Sequence, residues 1–190
     1  RPQPEFRGRR ALIALTDGVD STSERSFDDV KNALRQSGVT TYFINVDTRN
    51  FFEESLLGDC ETATRFSADQ IRRYYQLFDP KRLKEKATNF CDLGDFERLD
   101  VSKSLYGLAA AEMKELSSLS GGRVFNAADL QAARSAFKAV AEELGTRYGI
   151  SYYSSNERRP GTYRSIKVEG KGLPPGAVIR FRQGYTVSGK

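Results

Sequence analysis

Five apolar residues, Ala11-Leu12-Ile13-Ala14-Leu15, run into Thr16-Asp17-Gly18. A continuous apolar run of this length reads as a parallel strand buried on both faces. An Asp just past such a strand sits where open α/β sheets place their ligands, outside the carboxyl ends of the strands. Helix formers fill residues 27–36, Gly38 follows, and residues 40–46 read as a second strand with Tyr42, Phe43, Ile44 and Val46. Strand, acidic loop, helix, strand is one βαβ unit. It predicts an α/β fold with a parallel sheet and flanking helices.

The rest of the chain extends that unit. Ser26 is placed to cap the first helix, with Asp28 and Asp29 in its first turn. Val30, Ala33 and Leu34 form its apolar stripe, and Gly38 ends it. Leu108, Ala109, Met113, Leu116 and Leu119 predict a helix over 105–119, stopped by Gly121-Gly122. Residues 123–125 read as a short strand. Asp129 caps a helix over 130–144 that carries Ala133, Phe137, Val140 and Leu144 on one face, and Gly145 ends it. Residues 148–154, 163–169 and 178–182 are rich in β-formers and separated by turn residues, which predicts a small β-rich tail. Between the units, residues 51–104 read as a mostly helical insertion. Ser67 starts a helix there and Pro80 interrupts it. The basic run 81–86 reads as a solvated helix face, or else as a partner-binding surface.

Composition limits the function. With 190 residues, 38% hydrophobic and 29% charged, the chain suits one globular domain with a small appendage. No apolar run approaches the roughly 18 residues that span a bilayer. No leader is visible before residue 10, and the chain reads as though it begins inside a domain. The net charge is +5, but basic and acidic residues are interspersed and no aromatic-and-basic motif is present, which argues against nucleic acid. Histidine is absent, which excludes Ser-His-Asp, Cys-His and His-ligated zinc chemistry within these residues. No pair of carboxylates is singled out by spacing, and Gly121-Gly122 ends a helix rather than opening one as a phosphate loop would. The chain therefore reads as a non-enzyme. Cys60 and Cys91 lack CxxC spacing; a disulfide closing the middle segment is preferred over free buried thiols.

The segments ALIALTDGVDS and FDDVKNALRQSGVTTYFINVDT resemble the second half of a von Willebrand factor type A (VWFA) domain. The helices and β-rich tail after residue 105 are similar to the acidobacterial variant of that family. The resemblance covers most of 8–50 and 105–187 and implies a Rossmann-like sheet, with residues 1–147 as the C-terminal part of the domain and 148–190 as a β-rich extension. It also implies a metal-ion-dependent adhesion site for Mg2+ (or Mn2+/Ca2+), through which such domains bind a protein partner's carboxylate. Thr16-Asp17-Gly18 matches the third motif of that site. Asp17 is then a metal ligand, with Thr16 and Asp47 in supporting roles. The first motif, Asp-x-Ser-x-Ser, has no match; Asp20-Ser21-Thr22-Ser23 has the wrong spacing and follows the wrong strand. No Thr is assignable to the second motif. The alternative is that Asp17 bonds the backbone of its own turn and that Asp47 does the same.

The family's first strand would lie beside residues 10–16. Without it that strand presents a bare apolar edge. An upstream half, a separate chain or the tail strands would each cover it. A secreted or cell-envelope setting follows from the resemblance and the cysteines.

Overall fold

The computed structural model describes residues 8–21, 23–56, 65–83, 89–153 and 160–187. Three parallel strands form the main sheet in the order β1 (Ala11–Thr16), β2 (Thr40–Val46) and β3 (Val124–Ala127). Helix α1 (Phe27–Ser37) joins β1 to β2. Between β2 and β3 come α2 (Arg49–Leu56), α3 (Ala68–Phe78), a 3-10 turn (Phe90–Asp92) and the long α4 (Asp95–Ser120). Helix α5 (Leu130–Gly145) follows β3, and a two-stranded antiparallel ribbon, β4 (Tyr163–Ser165) with β5 (Gly184–Thr186), closes the order. This is the α/β architecture expected, with helices on a parallel sheet and a small β element near the C-terminus.

The helix boundaries follow from local chemistry. Ser26 accepts from the Asp29 N–H while the Asp29 carboxylate accepts from the Ser26 N–H, a complete capping box. Ser67 and Gln70 make the same pair at the start of α3. Gly38 and Gly121 end α1 and α4 in the left-handed conformation, with φ of +66° and +81°. Three arginines then bond the carbonyls at helix carboxyl ends, where a cation is favoured. Arg10 donates to Ser37 O, Arg182 to Arg35 O, and Arg147 to Gly121 O.

α4 begins at Asp95, ten residues before the apolar pattern predicts. Its buried stripe runs Arg98, Val101, Ser102, Leu105, Tyr106, Ala109, Met113 and Ser117. The first half of that stripe lies in the larger core, with Phe66, Ile71, Tyr74, Tyr75, Phe90 and Leu93. Phe66 meets Phe90 edge-on at 5.6 Å between ring centres, a favourable aromatic geometry. The Tyr74 hydroxyl donates to Asp100 and the Tyr75 hydroxyl to Glu97, so α3 is bonded to α4 at its polar margin. The described part of the middle segment is thus mostly helical, as expected, and continuous with the helix that covers the sheet.

Five expectations need correction. β1 is not buried on both faces: Leu12, Ile13 and Leu15 keep 50%, 37% and 51% of their surface. The cause is that β1 pairs only with β2, so its outer edge has no neighbour among the described strands. The described tail strands do not pair with that edge. The ribbon packs at the carboxyl end of α1, where the Arg35 guanidinium lies 5.2 Å from the Tyr163 ring centre. Residues 148–153 and 178–182 are not strands, and the partner of β4 lies further on, at Gly184, where a side chain would run into the Arg164 carbonyl and the Tyr163 ring. Phe137 is exposed on α5, and Ala136 takes the buried position beside Ala133 and Val140. Residues 81–83 form a turn rather than a helix face, and 84–86 lie outside the described residues.

Gly122 is the tightest backbone approach: a Cβ there would overlap the Thr41 carbonyl of β2. Gly122→Ala is expected to cost more than about 2 kcal/mol in urea denaturation. Gly107→Ala, in open space on α4, is expected to stabilise by about 0.5–1 kcal/mol. A neutral Gly122→Ala would contradict this packing.

Burial, then hydrogen bonds to Asp100 and Glu97, push the Tyr74 and Tyr75 hydroxyls well above their ordinary ionisation. An unfolded tyrosine loses its proton near about pH 10. Above that pH the unfolded chain holds fewer protons than the folded one, so stability falls as pH rises. The urea midpoint of the wild type is expected to drop between about pH 9 and 11, and less in the Tyr74→Phe/Tyr75→Phe double variant. Equal slopes would contradict it.

Candidate functional site

The site to test lies at the carboxyl end of β1 and β2. Asp17 leaves β1 and turns sharply through Gly18, whose φ is +76°. A side chain at Gly18 would strike the Met113 methyl of α4 at 2.8 Å. The turn is therefore held against α4, and glycine is required both for its backbone and for its space. Thr16 accepts the Gly18 N–H through Oγ1 at 2.9 Å, so its hydroxyl serves the turn.

Both oxygens of Asp17 are engaged. Oδ1 accepts the Val19 N–H at 3.1 Å, the local turn bond anticipated as the alternative to metal binding. Oδ2 accepts the Thr48 hydroxyl at 2.9 Å. Thr48 Oγ1 is also 2.7 Å from the Tyr106 hydroxyl. Since Thr48 gives its proton to Asp17, Tyr106 donates to Thr48. A chain of three side chains thus links α4, the β2 exit and the β1 exit. Burial raises the Tyr106 ionisation; the Thr48 bond opposes this, and the nearby charges of Asp17, Asp47 and Glu53 add to the rise.

Asp47 accepts the Arg49 N–H through Oδ1 at 3.0 Å, and its Oδ2 lies 3.7 Å from the Arg49 guanidinium. It shapes the start of α2, which is the turn role expected of it. Glu53 Oε1 is buried without a hydrogen-bond partner and stands 3.9 Å from Arg49 Nε. Beside the site, Arg73 of α3 bonds both Glu112 oxygens at 2.8 and 3.0 Å and Asp20 at 3.1 Å, which fastens the β1–α1 loop to α3 and α4. Cys91 sits in the 3-10 turn, and Cys60 lies outside the described residues.

Sequence reading found Asp17, Thr16 and Asp47 and missed Thr48, Tyr106 and Glu53. Thr48 follows Asp47 directly, so its place at the strand exit was readable. Tyr106 lies about 90 positions from Asp17 in the chain, and only the packing of α4 brings it there. A hard divalent ion needs about six oxygens in octahedral array. Among the described residues no group of three or more His, Cys, Asp or Glu could hold a metal. These residues alone do not fit one. They form a pre-positioned carboxylate with a hydroxyl partner.

Compared with known proteins, the chain matches no family model, no curated protein and no solved structure.

Thr48→Val would remove the hydroxyl that bridges Asp17 Oδ2 and the Tyr106 hydroxyl. We expect a loss of about 1–3 kcal/mol in urea denaturation, largely restored in Thr48→Ser, which keeps the hydroxyl. An unchanged midpoint in Thr48→Val would show that the relay is not formed in solution.

Proposed function

We propose that this chain is a protein-interaction or adhesion module of VWFA type, without catalytic activity, whose metal site is completed by residues not in this chain. The supporting observation is where the sheet stops. β1 exposes apolar residues on both faces, its outer edge is unpaired among the described strands, and Asp17 stands at its carboxyl end. A further parallel strand would cover the apolar surface and bring its own following loop beside Asp17. In this reading Asp17 is one ligand of a Mg2+-type ion, held in place by Thr48, and the partner is a protein. A secreted or envelope setting and a Cys60–Cys91 disulfide belong to the same reading. No helix among the described residues is long and apolar enough to cross a membrane.

A second reading has its own support. The insertion builds the larger core, and the Asp17 oxygens are already occupied. A metal-free scaffold, contacting partners through the insertion and the β tail, is the alternative.

Co-purification with a second polypeptide that carries an apolar strand and an Asp-x-Ser-x-Ser loop separates the two. The module reading expects a stable complex by size exclusion that binds Mn2+ stoichiometrically by electron paramagnetic resonance. Asp17→Ala should keep the complex and lose the Mn2+ signal. Mn2+ binding indifferent to Asp17→Ala would refute the metal role, and failure to form any complex would refute supply of the missing strand by a separate chain.

A further inference from the structure

On the α4 side of the sheet, a groove of about 650 Å3 opens between α4, β3 and residues 179–183 of the tail. Its floor is polar. Asn45 of β2 and Asn126 of β3 stand opposite each other in the ladder, and Asn45 Nδ2 donates to Asn126 Oδ1 at 3.4 Å. Asparagine is depleted from strands, so two on one sheet face are a departure from packing chemistry. Lys114, Arg123 and Arg180 border the same groove. Glu143 answers two of these charges, at 2.9 Å from Arg123 and 3.9 Å from Arg180. Lys114 has no ion pair among the described residues.

Val124 and Asn126 of β3, an edge strand of the described sheet, line this groove. The Phe43 N–H donates to Arg123 O, so residues 123, 125 and 127 turn their main-chain groups toward β2. The N–H and C=O of Val124 and Asn126 therefore point away from the sheet, and no described strand pairs with them. An exposed edge of this kind is a template for strand addition. The tail wall is fixed in place, because the Gln183 N–H bonds Leu119 O at the end of α4.

We propose that the outer edge of β3 takes up an extended acidic peptide segment of a partner protein. Its main chain bonds Val124 and Asn126, and alternate carboxylates lie over Lys114, Arg123 and Arg180. Charge complementarity selects the partner, and the edge bonds fix its direction. The proposed contacts do not use the Asp17 carboxylate and need no metal.

The test uses the full chain and a fluorescein-labelled peptide of alternating Glu and Val, followed by fluorescence anisotropy. The Glu/Val peptide should bind, and weaken as salt is raised. A Lys/Val peptide, and the Lys114→Glu/Arg180→Glu variant with the Glu/Val peptide, should each bind at least about tenfold more weakly. Asn126→Pro removes an N–H that no described strand uses and should weaken binding about fivefold or more, whereas Asn126→Ala keeps that N–H and should stay within about threefold. If Asn126→Pro does not fold by circular dichroism, a proline-interrupted Glu/Val peptide makes the same cut from the ligand side. Equal binding of the Lys/Val peptide, or no effect of charge reversal, would overturn the acidic assignment. Full binding by Asn126→Pro, or by the interrupted peptide, would overturn strand addition.

Discussion

One buried stripe on α4 serves two cores. Through Val101, Leu105 and Tyr106 it closes the aromatic cluster of α3 and the 3-10 turn, and through Ala109, Met113 and Ser117 it meets the β1 exit and the sheet. The second contact is close enough that Gly18 has no room for a side chain. Because a helix is stiff over this length, displacing its first turns would carry Tyr106 away from Thr48 and loosen the turn that holds Asp17. The insertion therefore bears on the geometry of the Asp17 site although that carboxylate bonds Val19 and Thr48 rather than α3. Its polar ties reinforce the same line, since Arg73 joins α3 to Glu112 of α4 and to Asp20 of the loop after β1.

Topology explains why the sheet is thinly covered. Both crossovers, β1 to β2 and β2 to β3, move the same way across the sheet, and the right-handed rule sets α1 and α4 on one face. Lys31 of α1 pairing with Glu115 of α4 at 3.2 Å agrees with that. α5 takes the other face, where Ile44 and Ala127 meet Ala133 and Ala136. That second core is small because its members are mostly alanines, and α5 reaches β2 and β3 rather than β1. β1 is left with a composition suited to a strand flanked on all sides and with only one neighbour.

What could be read from the sequence divides along physical lines. Caps and stops were legible because they depend on a few adjacent residues: Ser26, Gly38, Ser67, Gly121 and Asp129 all do what their chemistry suggests. The first turns of α4 were not, because the stripe there includes Arg98 and Ser102. Both are buried, Arg98 through its bond to Cys91 O and its stacking near Phe90. A reading based on apolar spacing passes over such residues. The tail failed for another reason: β-formers mark a segment able to pair, while the partner is set by tertiary contact, and β5 includes the glycine that a local reading treats as a break. At the site, Asp17 was visible as a strand-exit carboxylate, whereas Tyr106 became its neighbour only through helix packing.

The two outer edges of this sheet differ in chemistry, and that difference separates the partners each could accept. Along β1 the flanking side chains are Ala, Leu and Ile, so what the edge rewards is apolar burial. Along β3 the main-chain groups are bordered by Asn126, Lys114 and Arg123, so what that edge rewards is carboxylate placed above a hydrogen-bonded main chain. A segment suited to the first would leave the cations of the second unanswered, and an acidic segment laid on the first would strand its charges against leucine. Mismatch at either edge is costly enough to sort partners without any lock beyond strand pairing itself. In the proposed reading, three strands with two unlike edges would join two different polypeptides into one continuous sheet, with Asp17 at the exit of the apolar side and the tail bracing the basic one.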